Sequence, residues 1–224
     1  MSERIAIIGY EYTKKLIKYF RERGFDVVKG DPLITLWLYL LNEVHVSLIS
    51  SVAARTLGFF PKLGSPVVMS NGKVENVILI IRKWKEIMKL WRVPQSHTGF
   101  TLALWYLNKK GKRIKLVADP SKADALLYIG DEARRISSKS GYEVVDLGEE
   151  WYREYGMPMI YAVTVSHSEE PLSSPTYTWR HIKVTPFEDE VIEVLLLQNK
   201  VLKDYWVRAF RPPRGLLGML LRSA

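Results

Sequence analysis

The 224-residue chain contains no cysteine. Disulfides, thiolate metal sites, iron–sulfur clusters and a cysteine nucleophile are thereby excluded. Histidine is scarce. His45, His97, His167 and His181 are scattered, with no pair at the i, i+4 spacing that puts two imidazoles on one helix face. No structural zinc site, and no cofactor, is expected. Long apolar runs are missing too: a stretch such as Leu36 to Leu41 falls far short of the roughly 20 residues needed to span a bilayer. Met1-Ser2-Glu3-Arg4 runs straight into Ile5-Ala6-Ile7-Ile8, without the pattern of a secretory signal. A cytoplasmic protein is the expectation. There is no internal repeat and no low-complexity tract, and 7 Trp, 12 Tyr and 7 Phe supply ample apolar material, so disorder is excluded.

What the chain does have is positive charge. Its 33 Lys+Arg against 24 Asp+Glu give a net +9, which admits nucleic acid, an acidic membrane surface or a small anion as partner. Arg82-Lys83-Trp84-Lys85 and Lys109-Lys110-Gly111-Lys112-Arg113 read as solvated faces, and no recognised nucleic-acid-binding motif accompanies them. Nucleic acid is therefore not the expected partner. The charge is unevenly placed: Lys200 to Ala224 holds Lys200, Lys203, Arg208, Arg211, Arg214 and Arg222 against Asp204 alone. This tail suits weak contact with an anionic membrane surface, or Leu216 to Leu221 docks on the first lobe as a C-terminal helix.

Periodicity places strands between helices along the chain. Arg4–Gly9 is a β-branched strand, and Thr13–Arg23 a helix stopped by Gly24. Phe25–Val28 is a strand, and Asp31-Pro32 reads as N-cap and first turn of a helix through Leu41. Val44–Ile49 is a strand. Ser50–Leu57 is a helix capped by Ser50 or Ser51, Asn76–Arg82 a strong apolar strand, and the two proline segments around Pro61 and Pro66 irregular or edge structure. Thr98–Asn108 is an amphipathic helix. Strands follow at Arg113–Val117, Asp124–Ile129 and Tyr142–Asp146, with a last one at Met157–Val165; Gly130-Asp131 and Glu149–Tyr155 open or form helices. Ser166–Thr178 is a loop or hinge, and Glu188–Asp204 a helix with an apolar face. This is an α/β pattern with mostly parallel sheets in two lobes: residues 1–92, residues 93–165, and a return segment with a helical tail, 166–224, packing on the first lobe.

Three ordered motifs carry a resemblance: Ala123–Ala133 (ADALLYIGDEA), Val145–Trp151 (VDLGEEW) and Gly156–Val163 (GMPMIYAV). Together they resemble the chorismate dehydratase family of the futalosine route to menaquinone, whose members have a two-lobe fold like type II periplasmic binding proteins, with a cleft between the lobes. Val46–Ser51, Ser70–Val74 and Ser96–Thr98 sit where that family has serine-rich ligand loops. The likeness spans about Arg4 to Val165. It implies a carbon–oxygen lyase that eliminates water from chorismate to give 3-enolpyruvyl benzoate. The implied substrate-binding residues are Tyr10, Ser50, Ser51, Ser70, Asn76, Ser96, Thr98 and Asp131. The family's first strand runs into a Tyr, a variable residue and a catalytic Asn; here Tyr12 stands at that Asn position. Asn76 and Gly99 each replace a family serine.

Bland readings stand beside these. Asp131 at a strand-to-helix junction reads as N-cap or ligand contact, Ser50 and Ser51 as caps or ligand hydroxyls, and His97 as a loop residue rather than a base. Asp146, Glu149, Glu150 and Trp151 read as a structural signature. The substitutions at positions 12, 76 and 99 leave room for an alternative, a non-catalytic or re-specified small-carboxylate-binding protein on the same scaffold.

Overall fold

The computed structural model describes residues 3–92, 95–137, 142–168 and 172–209; the side chains of Ser137 and of residues 206–209 are outside the description. The basic tail beyond 209, with the expected docking of Leu216–Leu221 and the membrane contact, lies outside the described residues. Among them, no helix is long and apolar enough to cross a membrane.

Two sheets organise the chain. Strands β1 (Arg4–Ile8), β2 (Asp26–Gly30), β3 (Val46–Ser50) and β4 (Pro66–Ser70) build the first, joined by β10 (Met159–Ser166), β11 (Tyr177–Trp179) and β12 (Ile182–Pro186) in the order β11-β12-β4-β10-β3-β1-β2. The second contains β5 (Val77–Ile81), β6 (Ile87–Arg92), β7 (Arg113–Leu116), β8 (Ala125–Ile129) and β9 (Glu143–Asp146) in the order β7-β6-β8-β5-β9. The helices are α1 (Lys14–Arg21), α2 (Pro32–Leu40), α3 (Ser51–Thr56), α4 (His97–Lys109), α5 (Gly130–Ser137), α6 (Leu147–Tyr155) and α7 (Asp189–Ala209). The two-lobe α/β architecture is as expected.

The sheets are mixed rather than mostly parallel. β1, β2 and β3 pair in parallel, as do β6, β7 and β8, but β10 runs against both β3 and β4, and β5 against both β8 and β9. The reason is where the chain crosses. A strand entering directly from the other lobe starts at the cleft, whereas β3 and β8 end there, so the newcomer must run the other way. The crossings also fall elsewhere than expected. The chain leaves the first sheet between Ser70 and Val77, not near Arg92, and returns between Asp146 and Met159, not near Val165. Three strands expected nowhere, β6 and, inside the return segment, β11 and β12, complete the sheets. β4 is central, not an edge: Pro66 stands opposite Pro186 at the end of the ladder, where its missing N–H costs nothing, and Val67–Ser70 are buried between β10 and β12.

Helix α4 is not amphipathic. Every residue from His97 to Leu107 is buried, because the helix is packed by α3, α6, α7 and β10 as well as by the second sheet's β7 and β8; an all-round apolar helix is a core helix. α7 lies across α4, α3 and β10. Its Gln198, fully buried, accepts from Ile160 N (2.8 Å) and donates to Ile160 O (3.0 Å), so the amide closes a gap in the ladder where β10 bulges between Ile160 and Ala162.

The second crossing is held by one carboxylate. Asp146 ends β9 and caps α6, accepting from Gly148 N (3.0 Å) and Glu149 N (3.1 Å), and it also accepts from Val74 N (3.0 Å) and Glu75 N (2.7 Å) in the first crossing. Burial raises its pKa, and these four N–H groups oppose that rise. Gly148 leaves room for the contact: a Cβ there would lie 2.5 Å from the Tyr161 hydroxyl and 2.7 Å from Gly72 O. Trp151, fully buried, donates to Pro158 O (3.3 Å) and anchors the helix. Asp146→Ala, which strands buried donors in both crossings, is expected to destabilise the protein by about 3 kcal/mol. Urea unfolding measures this, and Asp146→Asn is expected to cost less than half as much.

Candidate functional site

Both sheets end at the same place. The C-termini of β1, β3 and β8 and the beginning of β5 meet the first turn of α4 around a cavity of about 50 Å³. Its lining includes Tyr10, Tyr12, Ser50, Asn76, Ser96 and Thr98, six of the nine residues expected to form a site, together with His97, Gly99, Gly130 and Tyr161. Among the described residues, no Lys, Arg, Asp or Glu lines it.

The helix termini explain the polar half of this lining. A helix begins with N–H groups that have no intrahelical partner, and a hydroxyl at the cap takes them up. Ser96 caps α4, accepting from Gly99 N (3.1 Å), and Ser50 caps α3, accepting from Ala53 N (3.4 Å). The two caps are wired together: Ser50 Oγ lies 2.7 Å from Thr98 Oγ1 and accepts from Thr98 N (3.2 Å), and Thr98 Oγ1 donates to Tyr161 O (3.0 Å). Thus two helix N-termini from different lobes and the bulge of β10 converge on three hydroxyl-bearing side chains. Gly99 is required by this closeness, since a Cβ would meet Ser96 Oγ at 2.6 Å.

The remaining expected residues lie outside the lining. Ser51 turns away to donate to Ile160 O (2.7 Å) and to meet Gln198 (3.3 Å). Ser70 bonds Gly72 O and the Tyr161 hydroxyl, both at 3.1 Å, and so braces Tyr161 from behind. Asp131 sits in the first turn of α5, where it pairs with Arg134 and accepts from Glu11 N (3.3 Å) in the opposite lobe. It therefore ties the lobes at the rim rather than reaching the cavity. Two neighbours act with it. The Tyr10 ring packs on Gly130, where φ is +64° and an added Cβ would come within 2.6 Å of a ring carbon, and the Arg134 guanidinium stacks 4.5 Å from the Trp179 ring centroid.

Tyr12 lines the cavity rather than lying outside it; it is buried, with its ring 5.7 Å from that of Tyr10. Burial, reinforced by Tyr10 and Asp131, pushes its phenol well above the ordinary tyrosine range. Tyr10 and Tyr161 are raised as well, also mainly by burial. All three are phenols, not phenolates, at neutral pH. His97 is the first residue of α4, buried, not the loop residue expected, and burial together with the nearby Arg92 charge lowers its pKa to about 4. The sequence reading also passed over Tyr161 and Gln198. A tyrosine interrupting the apolar run of β10 is the one signal that marked the first; for the second there was none beyond a lone amide on an apolar helix face.

Three solved structures share the fold: protein AF1704 of Archaeoglobus fulgidus (13% identity over 93% of this chain and 83% of that one, TM-score 0.54), a protein of Bordetella bronchiseptica RB50 (16%, 93% and 70%, TM-score 0.53), and the periplasmic aliphatic sulphonate binding protein SsuA of Escherichia coli (15%, 74% and 61%, TM-score 0.52). The fold is the two-lobe type of the periplasmic binding proteins, with the cavity at the lobe interface. No curated protein sequence matches the chain. The family model for menaquinone biosynthesis matches residues 4–182, and the chain belongs to that family.

A depressed histidine has a consequence for stability. Between pH 6.5 and about 4 the unfolded chain protonates this imidazole while the folded chain does not, so stability falls as pH drops through that window. The contribution of His97 alone is up to about 3 kcal/mol. His97→Gln is expected to flatten the decline measured by urea unfolding at pH 7 and pH 5.

Proposed function

We propose that this member of the menaquinone biosynthesis family is a chorismate dehydratase-type lyase, eliminating water from chorismate to give 3-enolpyruvyl benzoate in the interlobe cavity. The observation that carries the reading is the convergence of the α3 and α4 caps on one space lined, among the described residues, by no ionised side chain. The positive end of α4, with Ser50, Ser96 and Thr98, suits a substrate carboxylate. Loss of a ring proton and the hydroxyl makes the ring aromatic, so the driving force lies in the product. The substrate's own carboxylate can take the proton and pass it to the hydroxyl, which departs as water with the C–O electron pair, and the protein's task is positioning and exclusion of bulk water. Tyr12, kept protonated by burial, donates a hydrogen bond to the departing hydroxyl and is not a base. Ser51 and Ser70 support the site through Ile160 and Tyr161, and Asp131 acts through closure of the rim.

A cavity of about 50 Å³ is well under the roughly 300 Å³ of ordinary ligand pockets, so substrate enters when the lobes part. The same tightness, with two tyrosine rings where a smaller amide would leave space, favours the second reading, a binding protein for some small carboxylate that it does not convert. Incubation with chorismate separates the two. Turnover followed by absorbance and mass is expected, falling at least tenfold in Tyr12→Phe. Saturable binding without turnover selects the binding protein, and neither binding nor turnover removes both.

A further inference from the structure

A second, larger recess lies behind the interlobe cavity. Ser50 lines the cavity and Ser51 the recess, and on β10 Ala162 and Val163 divide in the same way, since neighbours on a strand face opposite sides. The recess is a groove of about 740 Å³ between α3, α7 and the loop of residues 57–65, within the roughly 300–1,000 Å³ of ordinary ligand pockets. Its lining combines the buried Val163, Phe187 and Leu195 with Phe60, Leu63 and Leu196, which are 71%, 64% and 62% exposed. The loop holds its two apolar side chains out. Phe59 packs edge-on against Tyr39 with ring centroids 5.2 Å apart, Gly64 N donates to Phe187 O (3.0 Å), and Ser65 Oγ donates to Lys62 O (2.6 Å). Large apolar side chains fixed in the open around one concavity mark a place where an apolar group docks.

Charge narrows what that group belongs to. The charged side chains of the lining are Arg55, Lys200 and Lys203, all cations, and among the described residues no Asp or Glu lines the groove. They are not evenly placed. Along α7 the lining runs from Ile192, Leu195 and Leu196 to Lys200 and Lys203, so its apolar end and its first ammonium stand about 12 Å apart at the 1.5 Å rise of a helix. Arg55 adds a cation on α3, its guanidinium 6.0 Å from the Phe60 ring centroid.

We propose that this groove binds a free single-chain amphiphile with an anionic head, a medium-chain alkyl carboxylate in the first instance, its chain among Phe60, Leu63, Leu195 and Leu196 and its head at Lys200 and Lys203. Such a molecule meets the apolar stretch and the ammonium groups in the order that α7 presents them. The chain's own tail beyond residue 209 is apolar at Leu216–Leu221, but it carries Arg211, Arg214 and Arg222 and no Asp or Glu, so it brings like charge to a cationic groove. A bilayer offers a flat face, whereas a concavity of this size surrounds one chain.

The test titrates the full chain by calorimetry with hexanoate, octanoate and decanoate, below their micelle concentrations, and with 1-decanol as the uncharged match. Decanoate is expected to bind saturably and about fivefold or more tighter than 1-decanol, with affinity rising roughly two- to fourfold for each added CH₂ along the series. Added salt is expected to weaken decanoate and not 1-decanol, a readout that needs no variant. Leu196→Ser is expected to weaken both probes about fivefold or more. The double substitution Lys200→Glu and Lys203→Glu is expected to remove the preference for decanoate while leaving 1-decanol in place. Affinity indifferent to chain length, or decanoate binding unchanged in both variants, puts the acid elsewhere and overturns the proposal. Cosedimentation with phosphatidylglycerol vesicles without binding of free decanoate assigns the face to a bilayer and overturns it too. Binding of neither, the result if the chain's own tail fills the groove, also overturns it.

Discussion

Everything at the cleft depends on the hydroxyl of Thr98. One atom meets Ser50 Oγ at 2.7 Å and Ser51 Oγ at 3.2 Å, and donates to the carbonyl of Tyr161. Through it the first turns of α3 and α4 and the bulge of β10 are held at fixed distances. Each partner is then fixed in turn: Ser51 through Ile160 and Gln198, Tyr161 through Ser70, and α4 through its burial on every side. Because hydroxyls both donate and accept, the network is satisfied without a single ionised group. That is what allows it to sit beneath a buried cavity, where an unpaired charge would cost several kcal/mol.

The absence of charge in the cavity separates two properties that the net +9 invites one to merge. The excess of basic residues does not enter the cavity lining among the described residues: Asp131 and Arg134 are paired with each other at the rim, and a large share of the excess lies in the C-terminal stretch. Attraction for an anion within the cavity has to come from helix termini and oriented N–H and O–H dipoles, which act at short range and demand a snug fit. Selectivity then falls to shape and to the pairing of polar atoms, and the tyrosines at 10, 12 and 161 supply the shape.

Local chemistry was legible where one residue dictates one structure. Asp31-Pro32, Gly24 and Ser50 placed their helix termini to within two residues, because caps act within four residues. Long-range organisation was less legible. β6 escaped notice because its Ile-Met-Lys-Leu-Trp-Arg pattern is short and carries one charge on each face, and β4 was demoted by a proline whose N–H is not needed at the end of a ladder. The mixed pairing follows from where the chain crosses between lobes, which no local pattern records. Six expected site residues came together because they cluster at strand ends, the one position that alternating strands and helices do specify. Ser51, Ser70 and Asp131 look alike in sequence but point away, since neighbours on a strand or a helix turn face opposite directions.

For the proposed function, the lobes must part before a ligand reaches a cavity of about 50 Å³. The lack of native cysteine makes this directly testable. With Arg134→Cys on α5 and Trp179→Cys on β11, which face each other across the rim, a short bis-maleimide reagent can bridge the lobes in their closed arrangement. Chorismate binding, measured by calorimetry before and after bridging, is predicted to be present in the open-chain protein and lost in the bridged one. Binding that survives the bridge undiminished would place the ligand elsewhere and contradict the account.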